Sequence, residues 1–203
     1  MPGIAALLAI APHHDVDVVC FSSMLAPSEL PANVSWVELA RDDVPAPAVP
    51  ADDPTAGGLL HWAPLHHVGH RSRLAVIAAA VGAGDIDAFV VDVSAEVTLF
   101  VRLLGVPVVI ITQPGDRTDE PHRLAYAAAR RVIAPWPEEI YAPEHLTSLG
   151  DRVAFVGGIS RFAGRRRPAQ PRGDEVVLLG GGGGADVSAD DIAAAERASG
   201  RPW

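Results

Sequence analysis

The sequence predicts an α/β fold built on a Rossmann-like, doubly wound parallel sheet. Apolar runs rich in valine and isoleucine alternate with helical stretches from about residue 87 onwards. These runs are nearly continuous, as expected for parallel strands that are covered by helices on both faces. The chain has 203 residues, of which 49% are hydrophobic, enough for one domain and a piece of a second.

The expected elements follow one another along the chain. A short helix over 4–14 precedes a buried strand over 15–23, and a shorter strand covers 34–39. The segment 41–58 is dense in proline, aspartate and glycine and is expected to be a loop. A helix over 70–84 ends at glycine. The regular alternation that follows comprises strands at 87–93, 106–113, 132–136 and 151–157, and helices at 94–105 and 120–131.

The composition changes after residue 160. The segment 161–173 is rich in arginine, proline and glycine and lacks an apolar period, which is typical of an interdomain linker. We therefore expect a Rossmann-like domain over 1–160 and the start of a second, incomplete domain over 174–203. One strand and one helix are too little to bury a core of their own.

Charge and cysteine content restrict the class of protein. The formal net charge of −9 argues against a nucleic-acid partner, because phosphate backbones require a basic surface. The single cysteine, Cys20, excludes an internal disulfide framework and fits a reducing compartment. No apolar run approaches the roughly 18 residues of a membrane-spanning helix. These features predict a cytoplasmic protein, and they leave its oligomeric state open.

A glycine run near the end of the chain predicts a phosphate contact. It follows the apolar strand EVVLL and precedes a helix for which Ser188 is a suitable N-cap. Glycines allow the backbone to approach a ligand, and the N–H groups at a helix start attract phosphate. A flexible strand-to-helix turn is the alternative, since no Gly-Lys-Ser/Thr follows. The expected contacts are Gly181, Gly182, Gly183 and Gly184.

Polar residues also follow two strands of the regular alternation. The carboxyl ends of parallel strands share one edge of the sheet, where open α/β sheets bind ligands. Alternatives remain for both groups: Ser94 is a good helix N-cap, and the second loop could be a Pro-Gly turn with solvated charges. The candidate binding residues are Asp92, Ser94, Glu96, Gln113, Asp116, Arg117 and His122.

Four histidines lie within ten residues, at positions 61, 66, 67 and 70. Their spacing matches no common zinc pattern, and no cysteine joins them. Gly69 argues against a helix that begins early enough to put His66 and His70 on one face. We expect a solvated or substrate-facing loop and no metal site.

Several stretches together resemble a known family. They are ARDD (40–43), DPTAGGLLHW (53–62), VVDVSAEVTLFVRLLGVPVV (90–109), QPGDRTDEPH (113–122), APWP (134–137) and FVGGISR (155–161). In this order they resemble GT-B glycosyltransferases, nearest to the bacterial enzymes related to MurG and family 28. The likeness covers nearly the whole chain and rests on the order of these stretches and on their local amino-acid sequences.

This resemblance implies hexosyl transfer from a nucleotide-sugar to an acceptor hydroxyl. In such enzymes the first domain binds the acceptor and the second binds the donor. A base deprotonates the hydroxyl, and backbone amides stabilise the diphosphate leaving group without a required metal. The seven strand-end residues would then contact the acceptor, and Gly181–Gly184 the donor phosphates. No cofactor is implied, and a lipid acceptor would bring peripheral membrane association.

The sequence also departs from the family pattern. The family begins with a strand and a Gly/His-rich loop that often supplies the base, whereas this chain begins within what resembles the following helix. No residue is therefore assigned as the base, and most of the donor domain has no counterpart. The resemblance implies a chain truncated at both ends and inactive on its own. The alternatives are a non-catalytic binding module that retains an acceptor pocket and a nucleotide-sugar epimerase, which shares the GT-B shape.

Overall fold

The structure is a computed structural model that describes residues 11–43, 49–84, 86–160, 176 and 187–201. The chain divides into two compact units, Met1–Ala163 and Gly164–Trp203. Most of the helix expected over 4–14, the linker expected over 161–173 and the glycine run lie outside the described residues, as do almost all residues of the strand before that run.

The first unit alternates strands and helices as the sequence predicts, and most elements are a few residues shorter than expected. One short helix, α4, was not anticipated. The second unit contains α5 among its described residues. The elements are β1 Val18–Ser22, β2 Val34–Glu38, α1 Val68–Ala83, β3 Phe89–Asp92, α2 Ala95–Leu103, β4 Val108–Ile111, α3 Glu120–Ala128, β5 Arg131–Ala134, α4 Glu144–Thr147, β6 Val153–Phe155 and α5 Ala189–Ser199.

Side-chain caps fix the beginnings of several helices. Ser94 accepts a hydrogen bond from the Val97 amide at the start of α2. The Ser188 hydroxyl forms a capping box with Asp191 in α5. At α1 the His67 side chain accepts from the amide of His70, so the helix begins at Val68. Helix α1 thus starts two residues before the predicted residue 70, and His66 lies outside it, as expected.

All strand pairs in the described residues are parallel, as predicted, but they form two sheets rather than one. β1 pairs with β2, and β3-β4-β5-β6 form a four-stranded sheet in that order. Stacked rings of Phe21 and Phe89, with centroids 5.6 Å apart, bring β1 against β3. Side-chain packing therefore joins the sheets where backbone pairing does not.

The helices cover one face of the larger sheet. Val91, Ile110 and Val132 lie in register on that face and are almost fully buried. The opposite face is less covered by the described residues, since Val90 is 39% exposed and Ile133 is half-buried. The predicted burial on both faces therefore holds fully for one face only within the described residues. The buried residues that pack on the helix-covered side include Ile77, Ala95, Val101, Val108, Ala125, Tyr126, Ala134 and Leu146.

None of the helices in the described ranges is long and apolar enough to cross a lipid bilayer.

Candidate functional site

A group of polar side chains occupies the carboxyl edge of the four-stranded sheet. It is built from the turn between β3 and α2, the first turn of α3 and the loop that precedes α1. Parallel α/β sheets bind ligands at this edge, because helix N-termini and strand ends converge there. This polar group thus lies at the sheet edge where the sequence predicts a binding site.

The turn between β3 and α2 has an unusual backbone. Val93 has a φ of 74°, and the amide of Ser94 donates to the carbonyl oxygen of Asp92 at 3.0 Å. A hydrogen bond between residues two apart with this φ is typical of a γ-turn, which is strained for a β-branched residue. The strain accompanies a turn that directs Ser94 and Glu96 into the site.

Replacing Val93 with glycine is expected to raise the free energy of unfolding by about 1 kcal/mol. Relief of strain of roughly 1–3 kcal/mol exceeds the extra chain entropy of glycine, which is about 0.5–1 kcal/mol. Urea denaturation followed by circular dichroism measures the change. Val90→Gly, in the extended strand three residues earlier, is the control and should destabilise. Equal destabilisation by both variants would show that Val93 carries no strain.

Glu96 is the best-anchored carboxylate of the site, with a side chain only 13% exposed. Its Oε1 accepts from the amides of His61 at 2.6 Å and Trp62 at 3.2 Å, and its Oε2 accepts from the Ser94 hydroxyl at 3.0 Å. Burial favours a higher pKa for Glu96, but these hydrogen bonds outweigh it and lower the pKa. Glu96 therefore fastens the loop before α1 to the start of α2 as an ionised group.

Asp119 lies between two histidines. Its Oδ2 is 2.9 Å from Nε2 of His61, and its Oδ1 is hydrogen-bonded to Nδ1 of His122. The two imidazole rings are in edge contact, with centroids 4.5 Å apart. Burial alone would raise the pKa of Asp119, but the hydrogen bonds from His61 and His122 and the charge of His122 lower it to about 2.

The three residues differ in exposure. The side chain of His122 is 5% exposed, whereas those of His61 and Asp119 are 39% and 52% exposed. One ligand atom from each residue can be chosen so that all three lie within 4.8 Å of one another. The cluster is therefore anchored at His122, open to solvent at Asp119, and of the size that could hold a metal ion.

The buried residue Tyr126 lies beside His122 and is joined to the buried Thr112 through their hydroxyls. The His122 ring contacts that of Tyr126, with centroids 5.8 Å apart, and the Tyr126 hydroxyl is 2.6 Å from the Thr112 hydroxyl. Burial raises the pKa of Tyr126. The ring of His145 lies nearly parallel to that of Tyr126, with centroids 6.4 Å apart. These contacts restrict the position of the His122 imidazole.

The structure brings together three of the seven predicted strand-end residues. Ser94 and Glu96 are hydrogen-bonded to each other, and His122 joins the cluster around Asp119. Ser94 acts as the cap of α2, so its predicted capping role is confirmed. Asp92 ends β3, and one of its carboxylate oxygens is buried without a hydrogen-bond partner among the described residues.

The remaining three predicted residues bond within their own loop. Arg117 donates to the side-chain oxygen of Gln113 at 3.3 Å, and Asp116 accepts from the amide and hydroxyl of Thr118. These contacts match the alternative of a turn with solvated charges. Gly181–Gly184 lie outside the described residues.

Two residues of the cluster were missed by sequence reasoning. Asp119 is the N-cap of α3, and its side chain accepts from the amide of His122, three residues later. Aspartate is a preferred N-cap, so the sequence pattern could have placed Asp119 beside His122. His61 was considered only with its neighbours 66, 67 and 70. Its actual partner, Asp119, is 58 positions away, and no local pattern predicts that contact.

Comparison of the chain with protein-family models, with curated proteins and with solved structures gave no match in any of the three.

Proposed function

We propose that this chain carries the acceptor-binding site of a glycosyltransferase that moves a hexosyl group from a nucleotide-sugar to an acceptor hydroxyl. The observation that carries the proposal is the convergence of His61, Asp119, His122 and Glu96 at the carboxyl edge of a parallel sheet. The resemblance of the sequence to GT-B enzymes adds the reaction class.

The cluster has the composition that proton removal from a hydroxyl requires. A carboxylate that holds the N–H of an imidazole orients the ring and stabilises its protonated form. Asp119 has this relation to both His61 and His122. A hydroxyl bound at the exposed side of Asp119 would lie next to a group able to take its proton.

The proposed transfer is a displacement at the anomeric carbon of the donor. The acceptor oxygen forms a bond to the anomeric carbon while the bond from that carbon to the diphosphate oxygen breaks. The hydroxyl proton passes to the cluster, and the nucleoside diphosphate leaves with the electron pair. Gly181–Gly184 remain the proposed contacts for the donor phosphates.

The surroundings of the cluster suit a polyhydroxylated acceptor. The half-buried Trp62 adjoins the site through its amide, which donates to Glu96, and its ring Nε1 donates to the carbonyl oxygen of Asp42 at 3.0 Å. Aromatic faces and carboxylates together offer apolar contact and hydroxyl acceptors. A non-catalytic binding module would need the same contacts but no proton acceptor, so the paired histidines favour the enzyme.

The test separates binding from transfer. The full chain is incubated with a panel of nucleotide-sugars and hydroxyl-bearing saccharide or lipid-linked acceptors, and release of nucleoside diphosphate is measured. Acceptor binding is followed in parallel by ligand-detected NMR. We expect both signals for at least one acceptor; transfer would show that the chain is active on its own, contrary to the expectation from the resemblance. Binding without transfer would support the binding module instead, and absence of both would overturn the proposal.

A further inference from the structure

We propose that His61, Asp119 and His122 form a binding site for a divalent first-row transition metal ion, for which Zn²⁺ is the natural probe. The site was not expected from the sequence, because the histidine run at 61–70 has no metal-binding spacing. The structure instead combines one histidine of that run with a carboxylate and a histidine from the start of α3. Metal binding does not depend on glycosyl transfer.

The three side chains are close to a coordinating arrangement. Ligands bound at about 2.0–2.2 Å in tetrahedral geometry lie roughly 3.3 Å from one another. Nε2 of His61 is 2.9 Å from Oδ2 of Asp119, and Nδ1 of His122 is in hydrogen-bonding contact with Oδ1. Small side-chain rotations that widen these contacts would admit an ion between the three atoms.

The donor set selects the kind of metal. Two imidazoles and one carboxylate are ligands for Zn²⁺ or for Fe²⁺, whereas Ca²⁺ and Mg²⁺ prefer sites built from oxygen atoms alone. The charge of the cluster also favours a cation, because Asp119 and Glu96 place two carboxylates beside His61. This negative charge outweighs the positive end of the α3 dipole, which Asp119 already caps.

Glu96 supplies the outer contact that histidine ligands usually have. Its Oε1 lies 3.8 Å from Nδ1 of His61, the nitrogen on the opposite side of the ring from Asp119. A carboxylate behind a histidine ligand fixes the tautomer that leaves the other nitrogen free for the metal. Glu96 is itself held by two backbone amides and the Ser94 hydroxyl, and a relative shift of roughly 1 Å would bring it within hydrogen-bonding distance of His61.

Three protein ligands leave a coordination position open. Sites that keep one position for water or substrate are typical of catalytic rather than structural zinc. The exposed side of Asp119 gives access from solvent, while the buried ring of His122 provides a ligand that is held in a fixed position. A metal ion here would have a position free for water or another hydroxyl-bearing ligand and would lower the pKa of that ligand.

The test measures Zn²⁺ binding to the untagged, chelator-treated full chain by isothermal titration calorimetry, with Co²⁺ absorption as a second probe. We expect one ion per chain. His61→Ala removes an exposed ligand and should weaken binding by more than the roughly 10–100-fold that outer-contact changes cost. Glu96→Gln should weaken it by about 10–100-fold.

His66→Asn is the matched control, because it removes an exposed histidine from the same loop and asparagine tolerates its φ of 59°. It should bind Zn²⁺ as the unchanged protein does. Circular dichroism establishes that each variant is folded. Absence of stoichiometric binding, unchanged binding in His61→Ala, or loss of binding in His66→Asn would each overturn the proposal.

Discussion

Replacing Ile110 with alanine is expected to lower the free energy of unfolding by about 2–5 kcal/mol. Ile110 is 1% exposed and packs in the middle of β4 against residues of α2 and α3. Its neighbours in register, Val91 and Val132, are also buried, so the deleted atoms would leave a cavity that the strands cannot close. Urea denaturation monitored by circular dichroism gives the change.

Ile133→Ala is the matched control for this prediction. It removes the same atoms from the adjacent strand, but on the sheet face where Ile133 is only half-buried. The loss should therefore be clearly smaller than for Ile110. Equal losses would mean that the second face of the sheet is as tightly packed as the first, contrary to the burial described above.

The sheet was predictable because its signal is local. The runs around Val91, Ile110 and Val132 are continuous and apolar, and each is followed by a stretch with helical spacing. The division into two sheets was not predictable, because pairing between β1 and β3 depends on how side chains such as Phe21 and Phe89 pack. The start of α1 was predicted two residues late, because histidine is not among the residues that usually cap helices.

The position of the candidate site at the sheet edge could be predicted from the sequence, but only some of its residues could. The rule that ligands bind at the carboxyl ends of parallel strands located Ser94, Glu96 and His122. The rule carries no information about the loop before α1, so it could not connect His61 with Asp119. The same rule selected Gln113 and Arg117, whose described side-chain contact is with each other and whose role in binding stays a prediction.

Replacing Asp119 with asparagine tests the centre of the cluster with little effect on folding. If the cluster takes the acceptor proton, kcat/KM for transfer should fall by about 10²–10⁴-fold. Asparagine remains a good N-cap, so α3 and the thermal unfolding temperature should change little. Steady-state kinetics with the acceptor found by the panel experiment measures the loss.

Asp116→Asn is the appropriate comparison, because Asp116 lies in the same loop and its carboxylate is bonded to Thr118. It changes the charge of the loop equally but leaves His61 and His122 oriented. A large loss in Asp119→Asn and a small one in Asp116→Asn would assign the effect to the histidine partners rather than to local charge.

Repeating both measurements with chelator and with Zn²⁺ then separates the two ways of activating the hydroxyl. A metal-bound hydroxyl requires added Zn²⁺ for the difference to appear, whereas an imidazole base produces the difference in chelator as well.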